Sequence, residues 1–256
     1  MSEQGCQGCR NGAGFPIEFS MAFQPIVDAR LQRVFAYEAL VRGADRSGAA
    51  AVLSQVDETN RYSFDQQCRV KAIELAAALK IAETGAGLSI NFLPSAVYEP
   101  AACIKLTLET ARRVGFPLHQ IIFEFTESEQ VNPEHLSRII ACYRKMGFIT
   151  AVDDFGAGYS GLNLLARFQP DLIKLDMELV RGVDADPVRR ALIEGVMLTC
   201  RRIGVAVLAE GIETEGEAET LREMGVRLLQ GYWYARPAFE ALPEPAWPAE
   251  PMAQAA

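Results

Sequence analysis

Asp153 and Asp154 stand side by side in AVDDFGAGYSGL, residues 151–162, behind an apolar pair and ahead of three glycines. Successive side chains of a regular strand point to opposite faces. Both carboxylates therefore reach one site only if the strand ends there and the glycines let the backbone turn. Other polar residues sit in equally apolar surroundings: Glu38 in YEAL, Asn91 in SINFL, Glu124 in IIFEFTE, Lys174 in LIKLD, Glu210 and Glu213 in VLAEGIE, and Gln230 in LLQGY. Taken alone, Asn91 or Gln230 reads as a solvated strand end. The set does not, because none of its members lies in a polar loop.

Gathering Glu38, Glu124, Asp153, Asp154, Glu210 and Glu213 round one pocket is unfavourable unless cations join them, since an uncompensated buried carboxylate is costly or protonates. Lys174 alone cannot neutralise the group. The donors are all oxygen, with no His or Cys, which favours Mg²⁺ or Mn²⁺ over Zn²⁺ and lets Ca²⁺ occupy the site with looser geometry. Adjacent aspartates suit a two-metal centre in which one carboxylate bridges ions about 3.5–4 Å apart. The chemistry expected is in-line hydrolysis of a phosphodiester by metal-activated water.

Lys174, between Ile173 and Leu175, lies on the opposite strand face from them, where it could orient or deprotonate the attacking water or simply pair with the acids. Arg42 is four residues past Glu38 on the same strand face; its fork of donors suits a substrate phosphate, with a surface salt bridge as the rival reading. Tyr232, Trp233 and Tyr234 are candidates for stacking on a base, against core packing.

These residues need strands to carry them. Apolar, β-branched runs predict strands over 19–27, 34–42, 88–92, 120–126, 148–153, 171–175, 205–210 and 226–230. Between them lie helix signals: a capping box Ser63–Gln66, Asn132-Pro133, Asp186-Pro187, and a cap over Thr214–Glu217, with Gly147, Gly204 and Gly225 as stops. Repeated β-then-α units predict an α/β fold, a single (β/α)8-like TIM-type barrel. The first two strands are separated by a hairpin-length link, so one strand is expected to be antiparallel. The reading divides the chain into a flexible extension (1–18), the barrel (19–240) and a Pro/Ala-rich disordered tail (241–256).

A formal charge of -8 argues against polymeric nucleic acid as a partner. With no basic n-region and no apolar run long enough for a membrane helix, a cytoplasmic protein that does not engage a membrane is expected. Cys68, Cys103, Cys142 and Cys200 read as reduced core thiols. Cys6 and Cys9 form a lone CxxC, set against a plain disordered extension.

The stretches YEALVRG, INFLP, FEFTESE, DDFGAGYSGL, IKLD, LAEGIET and QGYWYARP together resemble the EAL-domain family of cyclic di-GMP phosphodiesterases over about residues 19–240. The resemblance implies hydrolysis of cyclic di-GMP to linear pGpG with two Mg²⁺ or Mn²⁺ ions, Ca²⁺ binding without turnover, and a homodimer. It implies metal ligation by Glu38, Asn91, Glu124, Asp153 and Asp154. Lys174, Glu210 and Glu213 match the metal-water and base group, Gln230 the last active-site residue, Arg42 the phosphate contact, and Glu127 the glutamate that positions the loop after the paired aspartates. Ala157 and Gly161 replace the more usual Thr and Ser of that loop. A catalytically silent receptor or partner-binding module using the same pocket is the alternative.

Overall fold

The computed structural model describes residues 15–126, 132–158 and 161–247. Among the described residues nine strands form one sheet: β1 (Phe19–Asp28), β2 (Arg33–Gly43), β3 (Gly87–Asn91), β4 (Ile121–Thr126), β5 (Ile149–Phe155), β6 (Leu172–Leu175), β7 (Ala206–Ala209), β8 (Leu228–Leu229) and β9 (Ala238–Phe239). Their order is β2-β3-β4-β5-β6-β7-β8-β1-β9, and β1 also pairs with β2, which closes the first eight into a barrel. As the hairpin spacing predicts, β1 is antiparallel to both its barrel neighbours. The remaining barrel pairs are parallel. The sequence reading did not foresee β9, a two-residue strand pairing with β1 outside the barrel; it is too short to show a period.

Two apolar layers hold the barrel. The larger core lies between strands and helices, and a smaller one fills the barrel interior: Ile26, Ala36, Ile122, Ala151, Leu172, Leu208 and Leu228. Each interior residue is two positions from a polar one, namely Gln24, Glu38, Glu124, Asp153, Lys174, Glu210 and Gln230. Side chains two apart along a strand share a face, so the apolar layer is the floor on which the polar ring stands, about 7 Å above it.

Helix caps follow the sequence at three of the four predicted starts. Asn132 accepts from Glu134 N–H and His135 N–H, Asp186 from Val188 N–H and Arg189 N–H, and Thr214 with Glu217 forms a full capping box. The predicted Ser63–Gln66 box does not form. The helix Arg61–Ala78 starts earlier, after an Asp57 turn that accepts Thr59 and Asn60 N–H groups, while Ser63 Oγ instead accepts Phe15 N–H at 3.2 Å. Phe15 is buried against Phe19 and Phe64. At the other end Ala246 N–H donates to Tyr234 O and the Trp247 ring meets Tyr234.

Inside the wall, Arg69 and Asp65 form an ion pair at 2.7 Å with neither side chain more than 1% exposed. The guanidinium lies over Phe92, Phe123 and Tyr143 and donates to Tyr143 Oη. Removing one partner strands the other in apolar surroundings. Arg69→Met is therefore expected to lose about 3–5 kcal/mol at neutral pH, measured by urea unfolding. Burial raises the Asp65 pKa, so the loss should shrink at acid pH as that carboxyl protonates.

Candidate active site

β2, β4, β5 and the end of β7 each bring a carboxylate to one point, and Lys174 Nζ on β6 marks it. It lies 2.7 Å from Glu124 Oε2, 2.7 Å from Glu210 Oε1, 3.2 Å from Asp153 Oδ1 and 3.6 Å from Glu38 Oε2. The ammonium is only 1% exposed, deep inside the mouth. Burial would lower its pKa, but Asp153, Glu124, Glu210 and Glu38 together hold it well above the usual lysine value. In the pocket without ions the four carboxylates thus favour the ammonium form, suited to orientation and charge balance.

Amides fix the remaining acid. Asn91 Nδ2 donates to Glu38 Oε1 at 2.9 Å, and Gln230 Nε2 donates to Glu38 Oε2 at 2.8 Å. Asn91 comes from the end of β3, directly opposite Glu124. Gln230 Oε1 is buried with no hydrogen-bond partner among the described residues, an acceptor left over for a bound group.

The aspartate pair reaches the site by a route different from the one expected. β5 does not stop at residue 153 but continues to Phe155, with a register break between Val152 and Phe155. Asp154 takes the left-handed conformation itself, at φ 53°, and its N–H donates to Asp153 Oδ1. A bulge with a short polar residue in that region re-aims consecutive side chains without glycine, a device common beside active sites. Gly156, at φ 100°, turns the chain only afterwards.

Two carboxylate triads result, Glu38–Glu124–Asp153 and Asp153–Asp154–Glu210, each with one oxygen per residue lying within 4.8 Å of the others. Asp153 belongs to both. An all-oxygen, like-charged donor set with a spare buried acceptor fits hard divalent cations. Burial and the neighbouring Glu38 and Asp153 push Glu124 up to about 8 despite Lys174, and burial with Asp153 and Asp176 pushes Asp154 up to about 6. Burial raises Glu210 as well.

The signs give a pH prediction. Carboxyls with raised native pKa values stabilise the metal-free fold at acid pH and lose that contribution as the pH rises through about 6 and then about 8. A cation needs the ionised forms. Mn²⁺ is thus expected to bind more tightly, and to raise the melting temperature more, at pH 8 than at pH 5.5, with protons released on binding; calorimetry in buffers of different ionisation enthalpy checks this.

A model of the EAL domain matches residues 15–237. The chain belongs to the EAL-domain family. Among solved structures, it is 50% identical to a standalone versatile EAL protein from Vibrio cholerae O395 in its c-di-GMP-bound form, covering 90% of this chain and 97% of that one with a TM-score of 0.87. Klebsiella pneumoniae BlrP1, in a manganese and cyclic di-GMP complex, is 34% identical with a TM-score of 0.85 over 90% of this chain and 59% of its own. Two relatives from Escherichia coli K12 are the blue light- and temperature-regulated antirepressor BluF, 33% identical over 89% of this chain and 56% of its own, and the probable cyclic di-GMP phosphodiesterase PdeN, 29% identical over 86% and 43%. The chain spans about half the length of these two relatives.

Within this EAL barrel the other sequence candidates are less uniformly placed. Glu213 lines the same cavity as Glu38, Asp154 and Glu210, of about 360 Å³. Its partner, however, is Arg181, bound through two contacts of 2.6 and 2.9 Å, and the Arg181 hydrogen bond holds its pKa below the usual range. It stands apart from the carboxylates around Lys174. Arg42 shares the face of β2 with Glu38, half-buried, with Nη1 on Val41 O at 2.7 Å. The three aromatics divide: Tyr234 is buried and Trp233 packs on the core, whereas Tyr232 is exposed, lines the cavity and carries the Arg236 guanidinium 4.2 Å over its ring. Glu127, Cys6 and Cys9 lie outside the described residues. No helix among those residues is long and apolar enough to cross a membrane.

Four further residues of this EAL site escaped the sequence reading. Gln24 on β1 accepts from Gln230 and donates to Ala235 O; Ser89 Oγ donates to Glu124 Oε1; Asp176 and Arg181 line the cavity. Gln24 was legible in principle, since it stands opposite Glu38 once β1 and β2 are read as a hairpin.

Proposed function

We propose that this EAL protein hydrolyses cyclic di-GMP to linear pGpG with two divalent ions, Mg²⁺ or Mn²⁺. One observation carries the reading: the two carboxylate triads sharing Asp153 are assembled round a single buried ammonium, with every acid of both triads in place. The relatives' names and bound forms support the substrate, and BlrP1 also supports manganese.

Glu38, Glu124 and Asp153 would hold one ion, and Asp153, Asp154 and Glu210 the other, with Asn91 completing the first set. Bound ions supply positive charge to the phosphoryl oxygens and ease deprotonation of water. Lys174 as an ammonium holds Glu124 and Glu210 at 2.7 Å each and offsets part of the site's negative charge. Lys174 and Glu210, paired at 2.7 Å, are the candidates to orient the attacking water and take up its proton. Arg42 binds a substrate phosphate, and Tyr232 offers a face to a guanine. Calcium fits the ligand type but tolerates looser geometry, so it binds without supporting turnover.

The test is to separate nucleotide products after incubation with cyclic di-GMP, with and without Mn²⁺. Linear pGpG formed only with the ion is expected. Glu38→Ala should lower turnover at least about 100-fold, the upper end of losses seen even for outer-shell changes at metal sites. Its fold should survive, since one charge leaves a like-charged group. The second reading, a receptor that binds without turnover, is favoured by the 33% identity to an antirepressor. It takes over if the wild-type protein with Mn²⁺ binds cyclic di-GMP and leaves it intact.

A further inference from the structure

Glu217 looks at first like an ordinary helix cap. It is the third residue of the helix Glu215–Glu223, its N–H donates to Thr214 Oγ1, and its side chain accepts from Thr214 N–H at 3.2 Å. A capping box requires nothing more. Yet the same carboxylate, in a residue only 2% exposed, accepts two further bonds at 2.9 Å: Oε2 from Glu213 N–H and Oε1 from Gly182 N–H. Gly182 belongs to a different loop, the one that follows β6 and the short helix Met177–Val180.

Those two loops leave the strands that carry Lys174 and Glu210. Arg181, next to Gly182, grips Glu213 through both its terminal nitrogens, so a second bridge joins the same pair of segments. The backbone after β7 is accounted for almost atom by atom: Glu210 N–H donates to Leu175 O, Ile212 N–H to Gln230 O, and Glu213 and Thr214 N–H to Glu217. The segment has no room to slide. A Cβ added at Gly211 would lie 2.3 Å from Met177 Cβ, and one at Gly231 would lie 2.0 Å from Ile212 O. The loop is threaded between two walls, and Glu217 closes its far end.

We propose that Glu217 is a positioning residue for the site: by tying the loop after β7 to the loop after β6, it sets Glu210 against Lys174 and the Asp153–Asp154 pair. Only the turnover part of its test rests on the phosphodiesterase reading; the metal-binding part stands without it.

The experiment compares Glu217→Ala, Glu217→Gln and Thr214→Ala in the full chain, reading Mn²⁺ affinity by calorimetry, melting temperature, and kcat and KM on cyclic di-GMP. Thr214→Ala breaks the cap on the Glu217 N–H but leaves all three carboxylate bonds, so it controls for helix stability. Glu217→Ala is expected to weaken Mn²⁺ roughly 10-fold or more and to lower kcat in proportion while KM moves little. Thr214→Ala should lower the melting temperature and leave Mn²⁺ affinity unchanged. Glu217→Gln, which keeps one oxygen for Glu213 and Thr214, should recover most of the loss. Equal weakening in the Thr214 variant, no weakening in Glu217→Ala, or a Gln variant as poor as the Ala one would overturn the proposal. Should Glu217→Ala fail to fold, amide exchange of the wild type decides: Gly182, Glu213 and Thr214 are expected to exchange slowly and more slowly still with Mg²⁺, and fast exchange indifferent to Mg²⁺ would overturn it. A wild type that binds Mn²⁺ but turns nothing over sinks the enzymatic reading alone.

Discussion

Lys174→Met is expected to remove almost all turnover, on the order of 100-fold or more, as when a preorganised charge is deleted from a closed site. It should also make the metal-free protein selectively unstable at high pH. Four carboxylates face the ammonium, and two of them, Glu124 and Glu210, pair with it at 2.7 Å. Methionine matches its length and offers no charge. Without the cation, Glu124 and Glu210, already raised by burial, hold their protons to still higher pH, and each raised native pKa contributes stability that fades as the pH climbs. The deficit against wild type should therefore be small at pH 5 and grow toward pH 8, reaching about 3–5 kcal/mol if the acids are forced to ionise. Urea unfolding across that range, in chelator, reads the stability, and product separation reads the turnover. An equal deficit at both pH values would show that Lys174 contributes packing and not charge, and retained turnover would exclude it from the site.

Much of this was open to reading along the chain. Apolar runs predicted the strands, and Glu38, Glu124, Asp153, Lys174, Glu210 and Gln230 each stand two positions from a member of the apolar floor, on the same inward face. The single antiparallel strand followed from the short link between residues 28 and 33. What the sequence withheld depends on contacts between segments remote along the chain. The bulge at Asp153–Asp154 shows itself only when β5 meets β6, because the register break belongs to the pair. Glu213 read as one acid among six until Arg181, thirty-two residues away, came to rest against it. Ser63 could cap a helix in isolation, but its hydroxyl accepts from Phe15 and the helix begins earlier. Local patterns set the strands, while tertiary partners decided which of several competent side chains each polar group would meet.

Asp153→Asn is the sharper probe of how many ions the site holds, because Asp153 alone belongs to both triads. An asparagine there keeps an oxygen but loses the charge, and its amide group turns a donor toward oxygens that are themselves acceptors. Both sites should weaken together: Mn²⁺ stoichiometry is expected to fall from two toward zero at concentrations that saturate the wild type, with turnover lowered at least about 100-fold. Asp154→Asn touches one triad only. It should leave one ion bound, so the two variants differ in stoichiometry while both are inactive, an outcome calorimetry separates from simple unfolding when melting temperatures are taken alongside. One ion in the wild type, or one ion retained in Asp153→Asn, would break the two-ion reading. The barrel would stand under that result, and so would the ammonium at its centre; the consequence would fall on Asp153, whose place in both groups would then be geometry without a second cation to share.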